Sequence, residues 1–201
     1  MMKQIEFSKT LNILSRYGLK FVDHKVISNE DDIKKLSYPV VMKVLSEKVV
    51  HKSDKGGVIL GISNIEDAFS AFKKLKKISD KIIVQNMVKG KEIIIGMKRD
   101  AQFGPVIMLG LGGIFVEVLK DVSFRVCPID KEEANLMIKE LKSYKILEGV
   151  RGEKGVNISA IADIIVKVSK LALSEKISEM DLNPVIVNEK EATLVDVRFM
   201  V

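Results

Sequence analysis

The spacing of apolar residues along the chain predicts helices and strands in mixed order. Phe7, Leu11, Leu14 and Tyr17 recur at helical intervals and Gly18 follows as a C-cap, which predicts an opening helix of about three turns. A short helical turn is expected from Asn29 to before Pro39. The other predicted helices cover 65–77, where Ser63 and Glu66 have capping-box spacing, a segment opened by Asp130 and Glu133, and 158–173. Strands are predicted over 40–45, 57–62, 82–85, 92–97, 105–109, 122–127, 177–187 and 192–200.

This order of elements indicates the fold class. Strands and helices alternate without a regular βαβ rhythm, so an α+β architecture is expected rather than a doubly wound parallel sheet. The segment 149–155 (GVRGEKG) is predicted to be a glycine-rich loop. With 201 residues, 47% of them hydrophobic, the chain is expected to form one globular domain, whole or in two lobes.

Composition and charge exclude several kinds of site and partner. A single cysteine, Cys127, excludes an internal disulfide and a cysteine-based zinc site; it suits a reducing cytoplasm and is expected to be a buried thiol. The formal net charge is +6, and its densest lysine run, Lys73 to Lys77, falls on a predicted helix face. Because aromatic residues are only 5% of the chain, that run predicts a solvated surface rather than nucleic-acid binding. No signal peptide or membrane span is expected.

The segment 51–58 (HKSDKGGV), between two predicted strands, has the residues of a phosphate-handling loop. His51 is a candidate nucleophile, Lys52 and Lys55 bring positive charge, Ser53 brings a hydroxyl, and the two glycines let the backbone approach an anion. The alternative is an exposed hairpin tip in which His51 is a polar surface residue.

Lys43 interrupts the apolar strand predicted over 40–45. A lysine between Met42 and Val44 in a buried strand has to reach the rim of the sheet or meet an anion, and nucleotide phosphates would be a suitable partner. The alternative is an edge-strand lysine that faces water.

The last two predicted strands allow their pairing to be worked out. If residues 188–191 form the hairpin loop, Val187 pairs with Ala192, which places Asn183 opposite Asp196 and Asp181 opposite Arg198. Directly opposed residues have Cβ atoms roughly 5 Å apart, so an amide oxygen and a carboxylate could bind one Mg²⁺ together with substrate phosphates. A polar cross-strand pair without a ligand is the alternative.

Two further signals are weaker. Glu92 starts an apolar strand, where its carboxylate could accept a hydrogen bond from a ribose hydroxyl or pair with a lysine; the alternative is that it is only an edge residue. The run 110–113 (GLGG) follows a predicted strand but lacks the third glycine of a dinucleotide fingerprint, so a glycine turn near a phosphate or near a catalytic loop is favoured over NAD or FAD binding. His24 has no acidic or cysteine partner nearby in the sequence and is expected to be structural or exposed.

Several segments together resemble the ATP-grasp beta subunit or domain of ADP-forming acyl-CoA synthetases, especially the acetyl-CoA branch. They are YPVVMKV (38–44), HKSDKGGV (51–58), VQNMVKGKEIIIG (84–96), RDAQFGPVIMLGLGGIFVEVLKDVSFRV (99–126), EMDLNPVIV (179–187) and VDVR (195–198). They occur in order over nearly the whole chain, and their combination is far more specific than any one of them.

The resemblance implies an α+β ATP-grasp fold, with the nucleotide between two α+β lobes of a single domain over 1–201. The expected parts are an N-terminal helix over about 1–20, a smaller lobe with the His51 loop over about 21–83, and a larger lobe with the metal-binding strands over about 84–201. The resemblance places Lys43, Ser53 and Glu92 near the nucleotide and Gln85 and Val88 in the hinge strand. Asn183 and Asp196 match the family's magnesium ligands, and Asp181 is a third candidate.

The activity implied is that of an acid–CoA ligase (ADP-forming). An acyl-CoA and phosphate yield an acyl phosphate, and the phosphoryl group passes through a histidine of a CoA-binding alpha subunit and then His51 to Mg²⁺-ADP, giving ATP. Acyl-CoA, acid and phosphate would bind through that partner, since this sequence contains no CoA-binding Rossmann motif. The alternatives are a non-catalytic nucleotide-sensing or scaffold subunit and another ATP-grasp carboxylate ligase, which would have no use for His51.

Overall fold

The computed structural model describes residues 2–45, 56–113, 116, 118–150 and 152–201. The chain divides into two compact units, a smaller one of Val22–Val88 and a larger one of Met1–Phe21 with Lys89–Val201. The described helices are α1 (Phe7–Arg16), a 3-10 helix (Glu30–Lys35), α2 (Ile65–Lys76), α3 (Lys131–Lys139), α4 (Tyr144–Glu148) and α5 (Ile158–Ser174). The described strands are β1 (His24–Ile27), β2 (Val40–Val44), β3 (Val58–Ile62), β4 (Ile82–Asn86), β5 (Lys91–Asp100), β6 (Gly104–Leu111), β7 (Val122–Val126), β8 (Glu179–Val187), β9 (Ala192–Leu194) and β10 (Arg198–Met200).

The smaller unit is a four-stranded antiparallel sheet in the order β1-β4-β2-β3. Alternate residues of β2, namely Val40, Met42 and Val44, join one buried core with the apolar side of α2. Because successive side chains of a strand point to opposite faces, Val41 and Lys43 lie on the face away from α2. The exposed Lys73, Lys74 and Lys77 lie along or just beyond the outer side of α2, as the lysine run predicted.

Helix starts in the structure refine the predicted caps. The side chain of Asn64, not Ser63, caps α2 by accepting a hydrogen bond from the Asp67 N–H at 2.8 Å, so the predicted capping residue was wrong by one position. The prediction for Asp130 is confirmed, because its carboxylate accepts from the Glu133 N–H at 2.8 Å at the start of α3.

The larger unit is a six-stranded antiparallel sheet in the order β10-β8-β5-β6-β7, with β9 also paired to β8. One face packs against the helices: Ile93 and Ile95 of β5, Ile107 and Leu109 of β6 and the apolar side of α5 belong to one core. We call the opposite face of this sheet the outer face. The antiparallel pairing of both sheets confirms the α+β class expected from the order of elements.

The predicted strand over 192–200 is wrong, because it is broken into β9 and β10. Opposite the break, β8 contains Asn183 and Pro184, where its pairing with β5 shifts register. Pro184 has no N–H to donate to a ladder, and the Val197 N–H donates to the Asp196 carboxylate at 2.9 Å instead of to a strand. The interruption therefore follows from the residues on both sides of it.

Two short elements were not predicted, β1 and α4. Within the described parts of the chain, no helix has the length and apolar character needed to cross a membrane.

Candidate nucleotide and metal site

Four predicted site residues lie on the outer face of the larger sheet: Glu92, Asp181, Asn183 and Asp196. Their sequence neighbours Ile93, Leu182 and Val197 are buried in the helix-covered core, so the site residues point the other way. The larger unit therefore presents three carboxylates and one amide, predicted from separate segments, on one side of its sheet.

The pairing worked out from the sequence for the last hairpin is confirmed. Val187 pairs with Ala192, and Asp181 pairs with Arg198 beyond the break. The count of residues between these pairs is equal on the two strands, which leaves Asn183 opposite Asp196 within the break. A contact there, the Val195 N–H donating to the Pro184 carbonyl at 3.3 Å, keeps the two segments together.

The β-bulge in β8 shapes the surroundings of Asn183. Ile93 and Ile95 of β5 pair with Val185 and Leu182 of β8. One residue of β5 lies between these pairs, whereas β8 has two there, Asn183 and Pro184. Such bulges re-aim side chains and occur often beside active sites. Asn183 is exposed and Asp196 half-buried, so both are placed where a ligand from solvent can reach them.

The donor set at this position fits Mg²⁺. A carboxylate and an amide oxygen are hard donors, and magnesium is commonly held by one or two protein oxygens while phosphates and water complete its octahedron. Among the residues that the structure describes, no group of three histidine, cysteine, aspartate or glutamate side chains is arranged to hold a metal. The side chains predicted to hold such an ion here are the amide of Asn183 and the carboxylate of Asp196.

Asp181, the third candidate ligand, forms an ion pair with Arg198. The Arg198 Nη2 donates to Asp181 Oδ2 at 3.5 Å, and the two residues are directly opposed on β10 and β8. Asp181 and Arg198 therefore form a partly exposed ion pair across the two strands.

Glu92 lies against Gly112, the third residue of the GLGG run. The Gly112 N–H donates to the Glu92 carbonyl at 2.8 Å, and a Cβ added at Gly112 would lie 2.9 Å from the Glu92 Cβ. The glycine is thus required for close approach of two chain segments beside a predicted nucleotide-binding carboxylate.

Replacing Gly112 by alanine is expected to displace the backbone at Glu92. We expect a loss of roughly 1–3 kcal/mol in the free energy of unfolding, as for other overpacked sites, and weaker binding of Mg²⁺-ADP. Thermal melting and calorimetry measure the two effects. Gly96→Ala is the control for stability, since its new Cβ would meet its nearest atom at an ordinary 3.5 Å. Equal melting temperatures for the two variants would contradict the crowding argument.

In the smaller unit, Lys43 is buried in a central strand. It lies on β2, which is paired on both sides, opposite Ile83 of β4 and Val58 of β3, and only 6% of it is exposed. The alternative of a water-facing edge lysine is therefore wrong. Burial of an ammonium group is costly unless polar or anionic groups surround it, so this face of the sheet has to be polar around Lys43.

Gln85 shares the face of Lys43. It is buried on β4 opposite Val41, two residues from Ile83, so both polar side chains lie on the sheet face away from α2. Val88 lies beyond the end of β4 and is half-buried. His51, Lys52 and Ser53 lie outside the described residues, and their roles stay predictions.

The surroundings of His24 and Cys127 give neither residue a catalytic role. His24 is half-buried at the start of β1, with its Nδ1 3.1 Å from the Val22 carbonyl oxygen. Cys127 is a buried core residue, as predicted, and burial raises the pKa of its thiol while a hydrogen bond with Ser169 opposes that shift. A thiol held neutral in this way is a poor nucleophile.

A cavity on the outer face was missed from the sequence. Its volume is about 490 Å³, and its lining includes Val106, Met108, Phe124 and Arg198. The available signal was that β6 has apolar residues on both faces, which is unusual for an antiparallel strand with one face in water, and that β7 places Val122, Phe124 and Val126 together on one face.

The antiparallel α+β pairing of both units agrees with the ATP-grasp class expected from the sequence. The family model of the ATP-grasp domain matches residues 3–201. The chain belongs to this family, in the branch of the beta subunits of ADP-forming acetate–CoA ligases.

The similarity to individual proteins supports this placement. The chain is 50% identical to the beta subunit of acetate–CoA ligase (ADP-forming) I from Pyrococcus furiosus, over 94% of this chain and 88% of that protein. It is 47% identical to acetate–CoA ligase (ADP-forming) I from Archaeoglobus fulgidus, where 94% of this chain corresponds to 30% of the relative. The same module therefore occurs both as nearly a whole chain and as part of a longer one.

A solved structure has a closely similar fold. Acetyl-coenzyme A synthetase 1 of Ca. Korarchaeum cryptofilum, in complex with coenzyme A, Ca-AMPCP and HgCl⁺, matches with a TM-score of 0.92 and 38% identity, over 99% of this chain and 93% of that chain. Another structure of that enzyme contains Mg-AMPPCP, with a phosphohistidine segment pointing towards the nucleotide binding site. The resemblance and the fold expected from the sequence are thereby confirmed.

Proposed function

We propose that this chain is the nucleotide-binding beta subunit of an ADP-forming acyl-CoA synthetase and that it transfers a phosphoryl group to Mg²⁺-ADP. The observation that carries the proposal is the confirmed register of the β8–β9/β10 hairpin, which leaves Asn183 opposite Asp196 on the outer face. The relatives named as ADP-forming acetate–CoA ligases support the reaction, and the bound Mg-AMPPCP of the Korarchaeum enzyme supports the nucleotide and the metal.

Different side chains of this subunit would bind the metal, the phosphates and the nucleoside. Asn183 and Asp196 would hold Mg²⁺, and the ion supplies charge neutralisation on the phosphate oxygens when it is bound. Lys43, Lys52 and Ser53 would bind phosphate oxygens, and the Glu92 carboxylate would accept a hydrogen bond from a ribose hydroxyl. Gln85 and Val88 would contact the nucleoside.

His51 would carry the phosphoryl group in this proposal. In the direction of ATP synthesis, the bond between phosphorus and the imidazole nitrogen breaks while a β-phosphate oxygen of ADP forms a bond to phosphorus. The electron pair of the broken bond stays on the nitrogen, which then is neutral or takes up a proton according to pH. His51 must be unprotonated to accept the next phosphoryl group.

A partner is part of the proposal. The longer relative from Archaeoglobus fulgidus contains this module within a chain more than three times its length, which supports a second, CoA-binding component. In the proposed enzyme that alpha subunit binds acyl-CoA, acid and phosphate and carries the first phosphohistidine. We place the complex in the cytoplasm, where the single thiol of Cys127 would remain reduced.

The experiment that tests the proposed function begins with calorimetry of the isolated chain. We expect it to bind ADP with Mg²⁺ and to form ATP from an acyl-CoA, phosphate and ADP only after the CoA-binding subunit is added. Binding of ADP without ATP formation by the mixed subunits would favour a nucleotide-sensing or scaffold role. ATP consumption coupled to acyl-phosphate formation by this chain alone would favour a carboxylate ligase. Absence of ADP binding would contradict the proposal.

A further inference from the structure

Arg198 occupies one side of the cavity on the outer face. The cavity has a volume of about 490 Å³ and an apolar lining from Val106, Met108, Phe124 and Met200. Arg198 lies two residues from Asp196 on the same face, which corresponds to roughly 7 Å along an extended strand. Arg198, at the edge of the cavity, is therefore a near neighbour along the chain of a residue proposed to hold the metal.

The guanidinium of Arg198 makes little use of its donors within the chain. It has five N–H groups, yet within the described part of the chain its one polar side-chain contact is the 3.5 Å bond to Asp181. Arg125, by contrast, is held by Glu133 and Glu140, and Arg99 donates to the carbonyls of three residues. Only 34% of the Arg198 side chain is exposed, so it is partly withdrawn from water without being satisfied by protein.

We infer that Arg198, oriented by Asp181, binds the phosphoryl group of the incoming phosphoryl donor, while the apolar part of the cavity accommodates the group that carries it. This inference rests on the proposed function. Arginine suits the task because its planar fork donates two parallel hydrogen bonds to phosphate oxygens. The ligand class is a phosphorylated compound, either an acyl phosphate or a phosphoramidate such as a phosphorylated imidazole.

Lys98 is the natural comparison, because it is the other cation among the described residues that line the cavity and is also paired with a carboxylate. Its Nζ lies 3.3 Å from Glu179 Oε1, but the side chain is 77% exposed. Along β5, Lys98 also lies two residues beyond Gly96, the residue paired with Asp181, and is itself paired with Glu179. It is therefore farther than Arg198 from the position proposed for the metal. An exposed and strongly hydrated ammonium at this distance is not expected to hold the phosphoryl group.

The test measures binding of acetyl phosphate and of phosphoramidate to the full chain saturated with Mg²⁺-ADP, by ³¹P NMR titration. Arg198→Gln is expected to lower the affinity for the probe roughly ten- to hundredfold, because charge-assisted hydrogen bonds usually contribute that much. The affinity for ADP should stay within about twofold of wild type. Arg198→Lys keeps the charge without the fork and should recover part of the loss. Asp181→Asn should show a smaller loss than Arg198→Gln, and Lys98→Gln should match wild type.

The two probes identify the donor class, since preferential loss for one of them assigns the cavity to acyl phosphates or to phosphoramidates. Equal binding of both probes by wild type and Arg198→Gln, with ADP binding intact, would overturn the inference. So would an equal loss in Lys98→Gln, because general positive charge would then account for binding, and so would wild-type protein that binds ADP but neither probe. Failure of wild type to bind ADP would instead reject the proposed function itself.

Discussion

Replacing His51 by alanine is expected to abolish ATP formation by the mixed subunits, with a loss of at least roughly a thousandfold. The reason is chemical: the imidazole is the group that would form and break the bond to phosphorus, and removal of a covalent nucleophile leaves no route through the intermediate. The chain has only two histidines, so the experiment has a natural control in His24→Ala. His24 lies at the start of β1, directly opposite Gln85, with its Nδ1 near a backbone carbonyl, and the proposal gives it no bond to phosphorus.

The same variants can be tested without the partner by running the step in reverse. Incubation with γ-labelled ATP and Mg²⁺ is expected to label wild type and His24→Ala through a bond that is labile in acid and stable in alkali, as a phosphoramidate is. His51→Ala should carry no such label while binding ADP. Undiminished labelling and ATP formation by His51→Ala would remove the relay role and leave the nucleotide site to be explained by direct transfer.

The second large effect is expected at Asp196. Asp196→Asn removes the proposed anionic ligand of Mg²⁺, and we expect the affinity for ADP measured with Mg²⁺ to fall at least roughly tenfold. Loss even of a group that only supports a metal ligand commonly costs that much. Calorimetry with Mg²⁺ and with EDTA separates the metal from the nucleotide, because the variant should gain little from Mg²⁺ whereas wild type gains strongly.

Glu189→Gln is the matched control for Asp196→Asn. It removes the same charge from the loop of the same hairpin, where Glu189 forms an exposed ion pair with Lys154 at 3.2 Å. Exposed pairs of this kind contribute little, so stability and Mg²⁺ dependence should stay near wild type. An Asp196→Asn protein that kept the full Mg²⁺ enhancement would contradict the proposed metal site.

The alternation of apolar residues identified most of the larger elements, and the reason is that burial decides their spacing. The strand predicted over 40–45 is β2, and the long stripe over 158–173 is α5. The missed elements lack such a signal. β1 has four residues of which one is buried, and α4 has only five residues, little more than one helical turn.

The grouping of segments into units depended on contacts far apart in sequence. The Leu194 N–H donates to the Lys20 carbonyl and the Ile5 N–H to the Phe199 carbonyl, which joins the N-terminal segment to the larger unit. Neither contact leaves a local pattern that could be recognised in residues 1–21. Composition and periodicity report on an element's own burial and say little about its partner.

The sequence by itself determined the relation of Asn183 to Asp196 and of Asp181 to Arg198. A four-residue polar loop between two apolar strands leaves one register that buries the correct faces, and a slip of one residue would turn every side chain to the wrong side. Only the tertiary structure decided that Arg198 borders a cavity lined by Met108 and Phe124. Those residues come from β10, β6 and β7, and their proximity depends on the order of strands in the sheet, which no local pattern in any one strand specifies.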